Sequence, residues 1–388
     1  MGAGPTGGSS YDAVVVGAGV IGLACAWRAA QRGVSVLVLD RESPGAGASG
    51  VAAGMLAPVT EADWGEQGLL RANLDSAAQW PAFDRELASR SELDTGYRES
   101  GALVLAADRD DAEELRRLHA FQRSLDLDVE WLSGRECRRL EPGLSPRVAG
   151  GVLAREDHHV DPSALVRALG VALRRAGGEV AAPLAVQSLE VGGGRVTGVR
   201  TAAGAIAAGH VIVAAGAWSG ELSPSGLGAP PPVRPVKGQI LTLRGPAGRP
   251  LAERLIRTPR CYVVCRDDGR VVIGATVEER GFDTRVTGEG VYRLLEAAWE
   301  VLPDVGELEW VEARAGLRPG TPDNSPVVGR GAVEGLIWAT GHHRNGILLA
   351  PLTARVVAAL LAGEDADAPP AFAPERFEAR RLAGRTAG

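Results

Sequence analysis

One lysine, Lys237, occurs in a chain of 388 residues, and arginine carries every other fixed positive charge. Basic residues are also outnumbered, 42 Lys and Arg against 48 Asp and Glu. A net charge of −6 and a pI near 5.7 exclude the basic footprint that nucleic-acid binding needs. Cysteine is scarce as well: Cys25, Cys137, Cys261 and Cys265. Only the last two are neighbours, and no second pair completes a zinc set. Buried thiols in a reducing cytoplasm are therefore expected. Long apolar runs are missing. The longest uncharged run near the start, residues 13–27, is interrupted by Gly17, Gly19 and Gly22 and falls short of the ~20 residues a membrane span needs. No basic segment or cleavage site precedes it, so no signal peptide is read. Residues 1–10 are small and polar and read as a disordered leader.

What remains is ordinary globular composition, 45% hydrophobic and 23% charged, in a chain long enough for two domains. Residues 11–40 read β-α-β. Val14–Val16 is a continuous apolar run, as in a strand buried on both faces. Ile21–Arg32 has helical spacing and Gly33 can close it. Val34–Leu39 is the next strand, ending at Asp40. Helical spacing returns over 69–90, 112–125 and 291–302, and Asp161-Pro162-Ser163 is a strong helix start. His210–Ala215 and Ile337–Thr340 are further buried strands; a helix is expected over Gly346–Leu361. Residues 233–280 alternate apolar and polar in short runs, as in an antiparallel sheet.

The strands of parallel character fall in three blocks, and the antiparallel run lies between the second and third. The expected fold is α/β (α+β): a Rossmann-like dinucleotide-binding domain with a discontinuous antiparallel-sheet substrate domain. The reading assigns 11–80, 145–225 and 330–366 to the dinucleotide domain. It assigns 81–144 and 226–329 to the substrate domain, and 367–388 to a C-terminal tail.

The chemistry begins at Gly17-x-Gly19-x-x-Gly22. The first glycine permits the tight turn, the second lets the backbone approach a pyrophosphate, and the third lets the helix pack on the strand. Asp40, 18 residues past Gly22, stands where an acid accepts from a ribose hydroxyl. A dinucleotide is implied, and this motif alone does not separate FAD from NAD. The run Ala48-Ser49-Gly50-Val51-Ala52-Ala53-Gly54-Met55 is small enough for a flat ligand to lie against its backbone. Arg318, in a Gly-Leu-Arg-Pro-Gly turn, is the planar, permanently charged partner that an amino-acid carboxylate takes. The adjacent His158 and His159 point to opposite faces of an extended strand, which argues against joint chelation, and no metal is expected.

These segments resemble, in order over nearly the whole chain, the glycine oxidase branch of the FAD-dependent D-amino acid oxidase superfamily, the branch that serves thiamine biosynthesis. The carrying residues are the 17–22 fingerprint, Ala52-Ala53-Gly54-Met55-Leu56, Ala214-Ala215-Gly216-Ala217-Trp218-Ser219, Pro235-Val236-Lys237-Gly238-Gln239, Tyr262-Val263-Val264, Gly274-Ala275-Thr276, Gly316-Leu317-Arg318-Pro319-Gly320-Thr321 and Gly341-His342-His343-Arg344-Asn345-Gly346-Ile347. The resemblance implies noncovalent FAD and oxidative deamination of glycine to the imine or glyoxylate, with O2 reduced to hydrogen peroxide. Hydride passes to the flavin without a protein base, so no catalytic side chain is assigned. By position, the cofactor contacts implied are Gly17, Gly19, Val20, Ile21, Gly22, Asp40, Arg41, Ala48, Ser49, Ala53, Gly54, Met55, Val186 and His342 through Leu348, that is His342, His343, Arg344, Asn345, Gly346, Ile347 and Leu348. The implied substrate contacts are Arg318, Arg344 and Tyr262; Arg344 capping a backbone turn or pairing with a carboxylate stands as the alternative.

Sarcosine and D-amino acid oxidases are close rivals. Relatives resembling monomeric sarcosine oxidase hold flavin through a cysteine that residues 316–323 lack, and carry a lysine on a strand that here reads Arg270-Val271-Val272-Ile273. His343 and the Arg260-Cys261-Tyr262 stretch depart from familiar relatives, which leaves substrate size open. A quinone-linked dehydrogenase, a tRNA-modifying flavin domain and a flavin protein without turnover are the remaining alternatives. The acidic charge opposes the second, and Arg318 opposes the third. The partners implied are a small amino acid and O2, with no nucleic acid and no membrane. A homo-oligomer and a functional link to a thiazole synthase stay open.

Overall fold

The apolar run Val14–Val16 ends strand Ser10–Val16, which lies in parallel register between Val36–Leu39 and Gly204–Val213. This computed structural model describes residues 10–222 and 230–377. The expected leader apart from Ser10, the 225/226 boundary and the last part of the expected tail lie outside those residues. The first sheet has the order Val327–Arg330, Leu336–Thr340, Gly204–Val213, Ser10–Val16, Val36–Leu39, Glu179–Ala181, and the hairpin Val186–Gly192/Arg195–Thr201 extends it from Gly204–Val213. Its central strands are parallel; Val327–Arg330 and the hairpin pair antiparallel.

Four helices cover one face: Val20–Gln31, Gln67–Ser91, Pro162–Arg175 and Ala350–Leu361. They share one apolar core with the strands, centred on Trp27, Leu23, Trp80 and Phe83. Two features of Pro162–Arg175 match the sequence reading: the Asp161 carboxylate accepts from the backbone N–H groups of Ser163 (2.8 Å) and Ala164 (3.2 Å), and Pro162 opens the first turn.

The second sheet has the order Glu309–Gly320, Arg234–Arg244, Arg270–Gly274, Tyr262–Cys265, Leu255–Arg257, Ala102–Ala106, Gly150–Ala154, Val129–Ser133. Every pair in it is antiparallel except Leu255–Arg257 with Ala102–Ala106. Helix Gly288–Val301 packs on it through Leu294, Ala297, Ala298 and Val301.

Five local outcomes differ from the sequence reading. Strand Gly150–Ala154, placed with the dinucleotide domain, sits in the second sheet; strand Val327–Arg330, all but its last residue placed with the substrate domain, closes an edge of the first. The 80/81 boundary falls inside the unbroken helix Gln67–Ser91, whose buried Leu69, Ala72, Trp80, Phe83 and Leu87 belong to the first sheet's core, while Leu70 packs with Ala106, Val152 and Ala154 of the second sheet. Residues 346–349 form turns, and the last helix starts at Ala350 with Pro351 in its first turn. Part of the expected tail is docked, with Phe372 fully buried. Among the described residues no helix is long and apolar enough to cross a membrane.

Candidate active site

One cavity of about 590 Å³ runs from the carboxyl ends of the first sheet's central strands to the face of the second sheet. Val16, Leu39, Ala214 and Thr340 mark the first end. This is where ligands sit in open α/β sheets.

The glycine turn is built as its spacing demands. A Cβ on Gly17, which has φ +112°, would stand 2.4 Å from the Ala214 carbonyl oxygen; one on Gly22 would stand 1.9 Å from that of Gly17. Asp40 accepts from Ala18 N–H at 2.7 Å and from Glu42 N–H at 2.9 Å, so the acid braces the turn as well as lining the cavity. Ser49 Oγ accepts from Val20 N–H at 3.0 Å, tying the small-residue run to the helix start. Across the mouth, the Arg41 guanidinium lies 3.7 Å from the Trp218 ring centroid.

Most of the expected cofactor residues line this cavity: Gly17, Gly19, Val20, Ile21, Asp40, Arg41, Ala48, Ser49, Ala53, Gly54, Met55, Val186, His342, His343, Arg344, Gly346 and Ile347. Gly22, Asn345 and Leu348 do not. Gly22 works from behind, by letting the helix approach the turn. Asn345 and Leu348 are buried supports: Asn345 N–H donates to His342, and the Leu348 carbonyl accepts from Ser76 Oγ (2.7 Å) and Trp80 Nε1 (2.8 Å). His342 is buried with its Nε2 2.9 Å from Thr353 Oγ1, and burial holds its pKa down to about 3. His343 is likewise held to about 3, by burial and then by Arg344, Arg318 and Arg234. Both rings are neutral at physiological pH.

The far end carries the three expected substrate residues. Arg318 projects from strand Glu309–Gly320 and donates through Nη1 to the carbonyl oxygens of Thr276 (3.1 Å) and Lys237 (3.5 Å). Tyr262 lies beside it, and burial pushes its phenol up to about 12. Arg344 is different: its guanidinium pairs with Glu66 at 2.6 Å and Glu61 at 3.4 Å. The carboxylate-pairing alternative is the one its geometry follows.

Several lining residues escaped the sequence reading. Glu61 bridges Arg344 and Arg257; Arg314, which does not line the cavity, donates through Nη1 to the Gly50 carbonyl at 2.8 Å. Gly238, Gly274 and Gly316 make room: a Cβ there would meet Arg318 Nη1 at 2.4 Å, the Tyr262 hydroxyl oxygen at 2.3 Å and Val51 Cβ at 2.9 Å respectively. Each glycine stood inside a quoted motif, so the signal was present; only the cross-strand partner was hidden. Lys237 faces the other way. Gly238 and Ile240 line the cavity, so by strand alternation Lys237 and Gln239 point behind the sheet, where Lys237 Nζ pairs with Glu278 at 3.4 Å.

Glycines that leave a cradle at a helix start, an acid at the end of the next strand and a long cavity ending on an arginine make this the site of a dinucleotide-dependent oxidoreductase. The chain belongs to the FAD dependent oxidoreductase family, whose model matches residues 12–360, and FAD is its cofactor. It is similar to the glycine oxidase of Geobacillus kaustophilus, 36% identical over 90% of this chain and 93% of the relative. The crystal structure of glycine oxidase from Geobacillus kaustophilus superposes with a TM-score of 0.88, at 35% identity, over 94% of this chain and 98% of that one. The bifunctional protein ThiO/ThiG of Trichormus variabilis is 36% identical over 92% of this chain, which spans 53% of that longer protein.

Proposed function

We propose that this protein oxidises glycine, with sarcosine and small D-amino acids as slower alternatives, and that O2 is the final acceptor. The observation that carries the reading is the charge state of the cavity wall. Five arginines line it. Arg41 pairs with Glu42, Arg257 with Glu61, Arg260 with Glu300, and Arg344 with Glu61 and Glu66. Arg318 alone has no ionic partner among the described residues, so its free N–H edge suits an arriving carboxylate. The similarity to glycine oxidases supports the choice of amine.

Arg318 holds the carboxylate and thereby fixes the α-carbon against the cofactor's end of the cavity. Tyr262 closes the wall beside it as a neutral phenol. Glu61, the carboxylate at this end, is tied between two arginines, and His342 and His343 are neutral. None of these is poised to take the ammonium proton, so the amine reacts in its neutral form. FAD supplies the two-electron acceptor, and the electrons pass on to O2 as hydrogen peroxide. The imine hydrolyses to glyoxylate or is handed to thiazole formation, a role supported by the likeness to ThiO/ThiG.

The test is initial-rate peroxide release from the flavin-loaded protein with glycine, sarcosine, D-alanine and D-proline. Glycine is expected to give the highest kcat/KM. Reduction of an artificial dye without peroxide would convert the reading to a dehydrogenase; a preference for D-proline would reassign the substrate.

A further inference from the structure

Arg266 follows a strand of the second sheet and reaches the small-residue run 48–55 that lines the cavity. It leaves strand Tyr262–Cys265 and opens the turn to Arg270–Gly274, with its N–H on the Arg270 carbonyl at 2.8 Å. Its side chain is buried, 7% exposed, and does not line the cavity. Nη2 donates to the Ala53 carbonyl at 2.6 Å, and Nη1 lies 3.3 Å from His159 Nδ1. His159 is neutral, its pKa held to about 3 by burial and then by Arg266 itself. Arg266 Nε is buried without a hydrogen-bond partner.

No carboxylate pairs with this cation among the described residues. Asp161, which feels it electrostatically, is spent on Arg270 and on the start of helix Pro162–Arg175. Ala53, Gly54 and Met55 form the cavity wall directly in front of it. In a trans peptide the C=O and the following N–H point in opposite directions. Holding the Ala53 carbonyl from behind therefore turns the Gly54 N–H away from Arg266, toward the cavity. Among the described residues no acceptor meets that N–H. Gly54 itself has φ +81°, and a Cβ there would stand 1.9 Å from the Val160 carbonyl oxygen. The peptide is thus fixed on both sides.

We propose that Arg266 is a positioning residue for the flavin: it aims the Gly54 N–H at the isoalloxazine, and its buried, carboxylate-free charge raises the flavin's affinity for electrons. The two effects have the same sign. Reduction adds electrons to the ring, and both a facing donor and a cation one residue behind the wall stabilise the negative charge that builds up. The proposal rests on the FAD-bound reading and is independent of which amine is oxidised.

The test uses flavin-loaded wild type, R266K and R266Q, without any amine. Two quantities are read: the two-electron midpoint potential by dye equilibration, and the dissociation constant for sulfite. Sulfite donates its sulfur lone pair to form an N5–S bond, and the displaced electron pair leaves one negative charge in the ring, so its affinity reports the same stabilisation without an outside reductant. Gln keeps a donor for the Ala53 carbonyl and removes the charge; Lys keeps the charge. R266Q is expected to weaken sulfite about tenfold and to lower the potential by about 30 mV, the equivalent of tenfold for a two-electron couple. R266K should stay within about threefold of wild type, well short of the loss of a charge-assisted bond. Equal losses in both variants, or none in either, overturn the proposal. Failure of R266Q alone to retain FAD, with its apoprotein folded by circular dichroism, supports the charge requirement at the level of binding. Loss of FAD from both folded variants overturns it.

Discussion

The guanidinium of Arg318 lies where a side chain at Gly238 would begin: a Cβ on Gly238 would stand 2.4 Å from Nη1 and 2.6 Å from Nη2. The two residues belong to neighbouring antiparallel strands, with Gly238 opposite Gly316 and Val236 opposite Arg318. The glycine holds the arginine flat against the sheet, its free edge turned to the cavity.

Gly238→Ala should therefore act on substrate and spare the cofactor. The methyl group must push the guanidinium off its bonds to the Thr276 and Lys237 carbonyls. The expected result is a rise in KM for glycine of about tenfold or more, roughly one charge-assisted hydrogen bond, with FAD affinity unchanged. Steady-state kinetics and a flavin titration check both halves. An unchanged KM would mean that Arg318 does not depend on this clearance.

At the other end of the cavity, Asp40→Ala removes the acceptor of the Ala18 N–H at 2.7 Å and of the Glu42 N–H at 2.9 Å. FAD affinity should fall by about 1.5–3 kcal/mol, and turnover of the fully loaded enzyme should change little, because the acid is remote from the reacting end. Asp40→Asn, which keeps one acceptor oxygen, should fall between. Equal FAD affinity in wild type and Asp40→Ala would remove Asp40 from the cofactor site.

The nucleotide end was legible because its parts are local. Gly17, Gly19 and Gly22 specify a turn, and Asp40 follows one helix and one strand later. At the substrate end Arg318 could be read from its charge and its glycine-flanked turn, whereas Tyr262 and Arg344 came only by resemblance. Nothing near Arg344 in sequence announces Glu61 and Glu66, so its ion pairs emerge only when the chain folds back. The start of the last helix was misplaced because Ile347, Leu348 and Leu349 repeat helical apolar spacing; Ser76 and Trp80, from a distant helix, instead hold the Leu348 carbonyl in a turn. Gly150–Ala154 is short and apolar, and its run alone cannot say which sheet it joins. Arg266 carried no signal, because a buried arginine and a surface arginine look alike in sequence.

Arg344 should behave as a structural cation. Arg344→Gln leaves Glu66 and Glu61 without their shared partner in a partly buried setting, which should cost about 1–3 kcal/mol of stability. The midpoint of denaturant unfolding should drop, and KM for glycine should move much less than in an Arg318 variant. A large KM effect with unaltered stability would return Arg344 to the substrate.

His342 links the fold to pH. Its native pKa is held to about 3 by burial, below the ordinary value near 6.5. Between those values the unfolded chain carries the extra proton and the native state does not. Stability is complete above about pH 6.5 and is lost as pH falls through that window. By pH 5 the loss from His342 should be on the order of 1–2 kcal/mol. His342→Gln, which can keep a hydrogen bond to Thr353, should flatten that part of the slope. Unfolding free energies at pH 7 and pH 5 for both proteins decide it; identical slopes would mean that His342 does not carry the effect.

The decisive substitutions are at Arg318 itself. If its free edge holds the carboxylate, Arg318→Ala leaves that carboxylate without its ionic partner in the cavity, and apparent affinity for glycine should fall by roughly 2–5 kcal/mol, on the order of 30- to several-thousand-fold. Arg318→Lys should recover little, since an ammonium cannot present two parallel donors or span to the Thr276 carbonyl at the same time. FAD should remain bound in both, because the arginine stands at the far end of the cavity from the glycine turn. An amine without a carboxylate never used the contact, so its slow oxidation should be nearly unaffected. The experiment is peroxide release from wild type, Arg318→Ala and Arg318→Lys with glycine and with a carboxylate-free amine. Wild-type KM and kcat for glycine in Arg318→Ala would refute the anchor. Equal losses on both amines would assign Arg318 to shaping the wall, and the anchor would then have to be sought among the arginines that are now paired.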